Sequence, residues 1–184
     1  MTQQTTLAEP ALTDPSIRAA FVGAMRCAPT AVSVVTTDGP AGRFGVTVSA
    51  VASVSADPPM LLACINRRSP VGAAVAQNGK FTVNLLSEHQ RDVADCFAGR
   101  FAASGGPAFD FGQGDWADDA QDPAPRLQNA SASFHCAVAQ MHEAGTHIIL
   151  IGRVLTALSG QTPPLAYVRQ GYARVLNFEP GIAA

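Results

Sequence analysis

Apolar and polar positions along the chain change period several times, and each change marks an element. From residue 14 the spacing is helical. Ile17, Phe21, Ala24 and Met25 recur on one stripe, Asp14 stands at a cap position, and Pro15 suits a first turn. A helix with one buried face is predicted there. The period then falls to two. Residues 31–37 are rich in β-branched side chains and end at the turn Asp38-Gly39-Pro40. Residues 44–55 resume as a strand carrying Val46, Val48, Val51 and Val54, which Asp57-Pro58-Pro59 stops. The continuous apolar run 60–65 reads as a strand buried on both faces, with Cys64 in the core. Ser69 and Pro70 fit a cap and a first-turn proline, opening a short helix to about residue 77.

Residues 80–86 alternate as a strand. Residues 88–97 return to helical spacing, with Ser87 as cap and Val93 and Phe97 four apart. Residues 99–125 hold many Gly, Pro and Asp, and are predicted to be mostly loop around Phe109, Phe111 and Trp116. Strands are expected at about 130–141, 146–158 and 172–178. Residues 1–12 are polar and aperiodic, a flexible tail ahead of a single domain spanning 13–180. Many short strands and few helices make the chain mainly β, a β-barrel with few helices rather than a parallel α/β sheet. The βαβ rhythm and a G-x-G-x-x-G after the first strand are both missing, so a nucleotide would be held by another architecture.

Composition narrows the function classes. A chain of 184 residues suits one domain with a sizeable core. With 47% hydrophobic and only 14% charged residues, part of its apolar surface is expected to lie against a second subunit. The net charge is -2, and Arg67-Arg68 is the one adjacent basic pair, which argues against nucleic acid. Apolar runs fall far short of the roughly 20 residues that cross a bilayer, and the N-terminus lacks a basic-then-apolar stretch. A cytoplasmic protein without membrane contact is expected. Cys27, Cys64, Cys96 and Cys136 are far apart with no C-x-x-C, so neither zinc nor a disulfide framework is indicated. Ser87-Glu88-His89 lacks a G-x-S-x-G elbow, and His135, Met141, His142 and Glu143 do not form H-E-x-x-H.

Four constellations remain as candidate chemistry. In Gly45-Val46-Thr47-Val48-Ser49-Ala50, small and hydroxyl residues occupy a strand that would otherwise be bulky. They would let a flat aromatic ligand approach the backbone, or they are simply the polar face of a half-buried strand. Asn66-Arg67-Arg68-Ser69-Pro70 combines guanidinium groups, a hydroxyl and a helix start, which suits an anion such as a phosphate; the alternative is a solvated turn. Gly145-Thr146-His147 enters a strand, where the histidine could meet a cofactor amide or serve only structure. Tyr167, Tyr172 and Arg174 could clamp a dinucleotide or close a barrel.

The order of these motifs resembles the short-chain flavin reductase family. That family includes the reductase component of 4-hydroxyphenylacetate 3-monooxygenase and the flavin reductase of pyrimidine utilisation. The match runs through Thr36-Thr37-Asp38-Gly39-Pro40-Ala41-Gly42-Arg43 and Gly45-Val46-Thr47-Val48-Ser49-Ala50-Val51. It continues through Pro58-Pro59, Cys64-Ile65-Asn66-Arg67-Arg68-Ser69, Val83-Asn84, Phe97-Ala98-Gly99, Gly145-Thr146-His147 and Leu165-x-Tyr167 with Tyr172.

The resemblance implies an FMN-binding split barrel, a homodimer with flavin near the subunit interface, and an NAD(P)H:flavin oxidoreductase. Thr47, Val48, Ser49 and Ala50 would contact the isoalloxazine ring. Asn66, Arg67, Arg68 and Ser69 would hold the ribityl chain and phosphate. Asn84, Phe97, Ala98 and Gly99 would complete the flavin site. Thr30, His147, Tyr172 and Arg174 would lie on the nicotinamide side, with His147 the catalytic candidate, although hydride transfer from nicotinamide C4 to flavin N5 requires no acid–base residue. The implied cofactors are FMN or FAD, with NADH or NADPH as hydride donor, and reduced flavin would pass to a separate two-component monooxygenase. Alternatives are reduction of a corrinoid or ferric complex, a flavin-binding module without turnover, and an oxidase of the pyridoxamine-phosphate type. The 66–69 and 145–147 segments argue against the last.

Overall fold

A computed structural model of the chain describes residues 14–106, 108–119 and 122–178; the expected tail over 1–12 and the two ends of the 13–180 domain lie outside them. The chain runs α1 (Pro15–Met25), β1 (Thr30–Ala31), β2 (Ser33–Thr37), β3 (Phe44–Val48), β4 (Val51–Ala56), β5 (Pro59–Asn66), α2 (Val71–Asn78) and β6 (Lys80–Leu85). It continues with α3 (Arg91–Phe97), a short 3-10 turn (Arg100–Ser104), β7 (Trp116–Asp119), β8 (Asp122–Leu127), β9 (Ala132–Ala144), β10 (His147–Ser159), β11 (Leu165–Val168) and β12 (Gly171–Arg174). The fold is mainly β, as the strand spacing predicts.

Seven strands form the main sheet in the order β3-β2-β6-β9-β10-β5-β4. Every pairing in it is antiparallel. Its two edge strands, β3 and β4, are consecutive in the chain and separated only by Ser49 and Ala50. A sheet whose edges are joined by so short a link must curl. No ladder pairs β3 with β4, however, so among the described residues hydrogen bonds do not complete the expected barrel. A three-stranded sheet β1-β11-β12 and the hairpin β7-β8 flank it.

Apolar side chains are buried in two clusters on opposite faces of the main sheet, as the consecutive β2 residues Val34 and Val35 fall one in each. The first contains Val35, Ile65, Val75, Phe81 and Leu150; the second contains Val34, Leu86, Phe97, Leu127 and Leu165. Each such side chain contributes about 1.5–3 kcal/mol on burial, and the second cluster forms the floor beneath the candidate site.

Several expectations are corrected. The α1 helix forms as predicted, and Ser16 N donates to Asp14 Oδ1 at 2.8 Å. None of its residues is buried, because the Ile17, Phe21 and Met25 stripe faces away from the chain's own core. The strand expected over 44–55 is two strands on opposite edges of the sheet. Strand β5 buries only Leu61, Ala63 and Ile65; Met60, Leu62 and Cys64 on its other face are half-buried, as antiparallel sheets allow. Pro70 itself is the cap of α2, with Ser69 Oγ accepting from Val71 N at 3.4 Å. Helix α3 begins at Arg91 rather than 88, because Ser87 N donates to the Gln90 side chain and Ser87 bridges Pro164. The 99–125 segment, expected to be mostly loop, contains β7 and β8. Strand β11 was not predicted, and the last strand ends at Arg174, not 178.

Candidate active site

Small residues at the β3–β4 link create the first half of the site. Ser49 and Ala50 are exposed, and Ser49 pairs with no strand. Gly45, four residues earlier on β3, lets the Phe97 ring press against the strand: a Cβ there would lie 2.6 Å from Phe97 Cε1. Thr47 Oγ1 donates to Ala94 O at 2.7 Å, tying β3 to α3. Phe97 is fully buried and meets Phe111 and Trp116 edge-on, with ring centroids 5.0 and 5.4 Å away. This aromatic base fixes Ala98 and Gly99 at the end of α3. Gly99 takes a left-handed conformation (φ 72°), which turns the chain sharply into Arg100.

A cavity of about 160 Å³ lies above this base, lined by Val32, Thr47, Val48, Ser49, Ala98, Arg100, Tyr167 and Tyr172. Tyr167 and Tyr172 are directly opposed in the β11–β12 ladder, and their rings meet edge-on at 5.5 Å. The Tyr172 hydroxyl donates to Asp95 Oδ1 at 2.6 Å. Burial, reinforced by that hydrogen bond and the Asp95 charge, holds the hydroxyl well above the ordinary tyrosine range, so it stays protonated at neutral pH. Arg91 lies over the outer side of the Tyr172 ring, 5.3 Å from its centroid. A second cavity of about 270 Å³ adjoins the first through Ser49 and Tyr167, and Thr30 and the exposed face of α1 line it. Thr30 Oγ1 donates to Tyr167 O at 3.4 Å.

The other half of the site is the bend after β5. Arg68 N donates to Asn66 Oδ1 at 2.9 Å, and Ser69 N donates to Asn66 O at 2.9 Å. His147 stands opposite Asn66 in the β10–β5 ladder, exposed, with Nδ1 2.9 Å from Thr146 Oγ1. Arg67 N donates to Thr146 O at 3.0 Å, so the 66–69 and 145–147 segments form one surface. Arg67 is paired with Glu143 at 3.0 Å, whereas Arg68 is exposed and has no ion pair among the described residues. The two halves meet where Cys64 N donates to Ala50 O at 2.9 Å, two residues before Asn66 along β5.

Two of the residues expected at the site stand elsewhere. Asn84 is fully buried, and its side chain bonds to β2, β8 and β9 rather than lining either cavity. Arg174 lines neither cavity and makes a forked contact with Glu88, at 2.8 and 3.3 Å. Conversely, Arg100, Asp95 and Arg91 were not legible as site residues. The only sequence signal for Arg100 is its place directly after the Phe97-Ala98-Gly99 motif.

The site fits a flavin on two grounds visible in the structure. An exposed backbone link at Ser49 and Ala50, outside the strand ladders and carrying small side chains, suits a flat heteroaromatic ring. Arg68, without an ion pair among the described residues and beside a helix start, suits a phosphate.

Comparison with known proteins agrees. Residues 25–176 match the family described as flavin reductase like domain. The chain belongs to this family. It is 43% identical over 159 residues to an FMN reductase (NADH), RutF 1, of Methylorubrum extorquens, covering 86% of this chain and 77% of that one. Among solved structures, BorF, the flavin reductase component of a bacterial two-component tryptophan halogenase, superposes with a TM-score of 0.76 at 29% identity, covering 88% of this chain and 99% of that one. The Streptomyces globisporus C-1027 NADH:FAD oxidoreductase SgcE6, in complex with NAD and FAD fragments, superposes with a TM-score of 0.78 at 26% identity, covering 95% and 100%.

Proposed function

We propose that this chain is an NADH:flavin oxidoreductase, built on the FMN-binding split barrel, that supplies reduced flavin to a separate flavin-dependent monooxygenase. The observation that carries this reading is the junction of the two half-sites at Ala50 and Cys64, where the exposed β3–β4 link meets the strand that leads into the arginine–serine bend. Ser49 and Ala50 would hold the ring edge through their backbone. Arg68, Ser69 and the start of α2 would hold the phosphate. Thr30, Tyr172 and His147 would line the nicotinamide side. Bound flavin supplies the two-electron acceptor, while the protein supplies orientation above an aromatic base. Relatives named as FMN reductases that use NADH support FMN and NADH as the working pair. The flavin reductase component BorF supports delivery to a separate enzyme.

Two copies complete the unit. Helix α1 exposes Ile17, Phe21 and Met25, each by half or more of its surface. A largely apolar groove of about 410 Å³ runs along Val51, Met60, Leu61, Val83, Leu85 and Phe134. Ser33 lines the same groove, and its buried Oγ has no partner among the described residues. A second chain would cover these surfaces.

The test is anaerobic mixing of the FMN-loaded chain, sized beforehand by sedimentation, with NADH. The expected result is a particle of twice 19.0 kDa whose oxidised-flavin absorbance is lost on mixing. A chain that binds FMN yet keeps that absorbance, or that does so as a monomer, contradicts the corresponding part of the proposal.

A further inference from the structure

Arg100 is the one arginine among the lining residues of the cavity that holds Thr47 and Ser49. Its Nη1 donates to Asp95 Oδ1 at 2.7 Å and to the Tyr172 hydroxyl at 3.4 Å, and its Nη2 donates to the Tyr167 hydroxyl at 3.3 Å. The guanidinium carbon also lies 5.8 and 5.4 Å from the centroids of the two tyrosine rings. An arginine has five N–H donors. Among the described residues these contacts engage three of them and leave two, including Nε–H. The side chain is 48% exposed, so it is braced by its surroundings yet open to a ligand.

Such bracing has a chemical consequence. A guanidinium held by a carboxylate and two hydroxyls loses little rotamer freedom when it takes another ligand. The ligand it suits is an anion with more than one acceptor oxygen. On the proposed reading, the flavin phosphate lies at the 66–69 bend, and the tyrosine wall faces the nicotinamide side. The second anion to arrive is then the pyrophosphate of the dinucleotide. Arg174, the arginine singled out by sequence, is already engaged by Glu88 outside the cavity.

Resting on that reading, we propose that Arg100, braced by Asp95 and the Tyr167–Tyr172 pair, is the cation that binds the pyrophosphate of the nicotinamide dinucleotide. Its test is equilibrium titration of the FMN-loaded chain with NAD⁺, alongside the KM for NADH, in Arg100→Gln, Arg100→Lys and Arg174→Gln. Arg100→Gln should weaken NAD⁺ binding and raise the KM about tenfold or more, the scale of one charge-assisted contact. The affinity for FMN should change by less than about twofold, because no contact to the flavin phosphate is lost. Arg174→Gln should leave all three values at wild type. Arg100→Lys keeps the charge but not the fork, so it should recover part of the loss and remain informative if the glutamine variant unfolds. The dependence of NAD⁺ affinity on salt should flatten in Arg100→Gln, a change that a purely structural role would not produce. If Arg100→Gln weakens FMN and spares NAD⁺, the cation serves the flavin phosphate and the proposal is overturned. Equal effects of Arg100→Gln and Arg174→Gln overturn it as well. A wild-type chain that binds no FMN refutes the underlying flavin reading instead, which separates the two failures.

Discussion

Phe97→Ala is expected to destabilise the chain by about 3–5 kcal/mol, the range for removing a fully buried phenylalanine. Phe97 has no exposed surface, and it lies between the edges of Phe111 and Trp116 and the Gly45 backbone. Those neighbours are themselves pinned. Trp116 Nε1 donates to Gln113 O at 2.9 Å, so the cavity left behind cannot readily collapse. Flavin binding should weaken in the fraction that still folds, because Ala98, which lines the cavity, follows directly from this residue. Phe97→Leu should restore most of the stability, since it keeps much of the volume. Denaturant midpoints for the three proteins check this. An alanine variant within about 1 kcal/mol of wild type would mean that the aromatic floor bears little of the fold.

Asn84→Ala is expected to cost about 2–4 kcal/mol through orphaned polar groups rather than lost flavin contacts. Asn84 Oδ1 accepts from Leu127 N at 2.8 Å and from Ser133 Oγ at 3.3 Å. Its Nδ2 donates to Val34 O, Thr36 Oγ1 and Pro125 O. Truncation leaves the Leu127 N–H and several carbonyls buried without this partner, away from water. Asn84→Asp should be at least as damaging, because a carboxylate would face the Val34 and Pro125 carbonyl oxygens that now accept from the amide. The check is thermal unfolding together with FMN affinity below the transition. A large loss of affinity at unchanged stability would return Asn84 to the flavin site.

How much could be read from the sequence depended on how local the cause was. The α1 cap and the strand at β6 follow from adjacent residues and were legible. The break between β3 and β4 was visible in principle: Val46 and Val48 share one parity, Val51 the other, and a strand cannot change face without a bend or bulge. Strand β11 escaped because its turn to β12 uses Arg169 and Gln170, with φ of 49° and 65°, where a primed turn normally signals itself with Asn or Gly. The β7–β8 hairpin escaped because Pro123 and Pro125 read as loop, although proline is tolerated on an edge strand. The helical stripe of α1 was legible, but not that it faces away from the chain's own core.

The site divides in the same way. Ser49, Ala50, Asn66 and Ser69 could be named from motif order, and the structure brings their segments together at the Ala50–Cys64 hydrogen bond. Arg100 could not be named, because its meaning comes from tyrosines 67 and 72 positions further along the chain. Asn84 carried a motif, but its burial beneath β8 depends on a hairpin that composition concealed.

The most direct measurement is a titration of FMN into Ala50→Trp and wild type, followed by quenching of flavin fluorescence. Ala50 is exposed and its side chain supports no core contact, so the indole should leave the unfolding temperature unchanged while filling the ring edge. The expected result is FMN affinity reduced by about tenfold or more, the cost of blocking a contact worth roughly 1.4 kcal/mol or above. Wild-type affinity in a folded Ala50→Trp chain would place the flavin elsewhere and contradict the site described above.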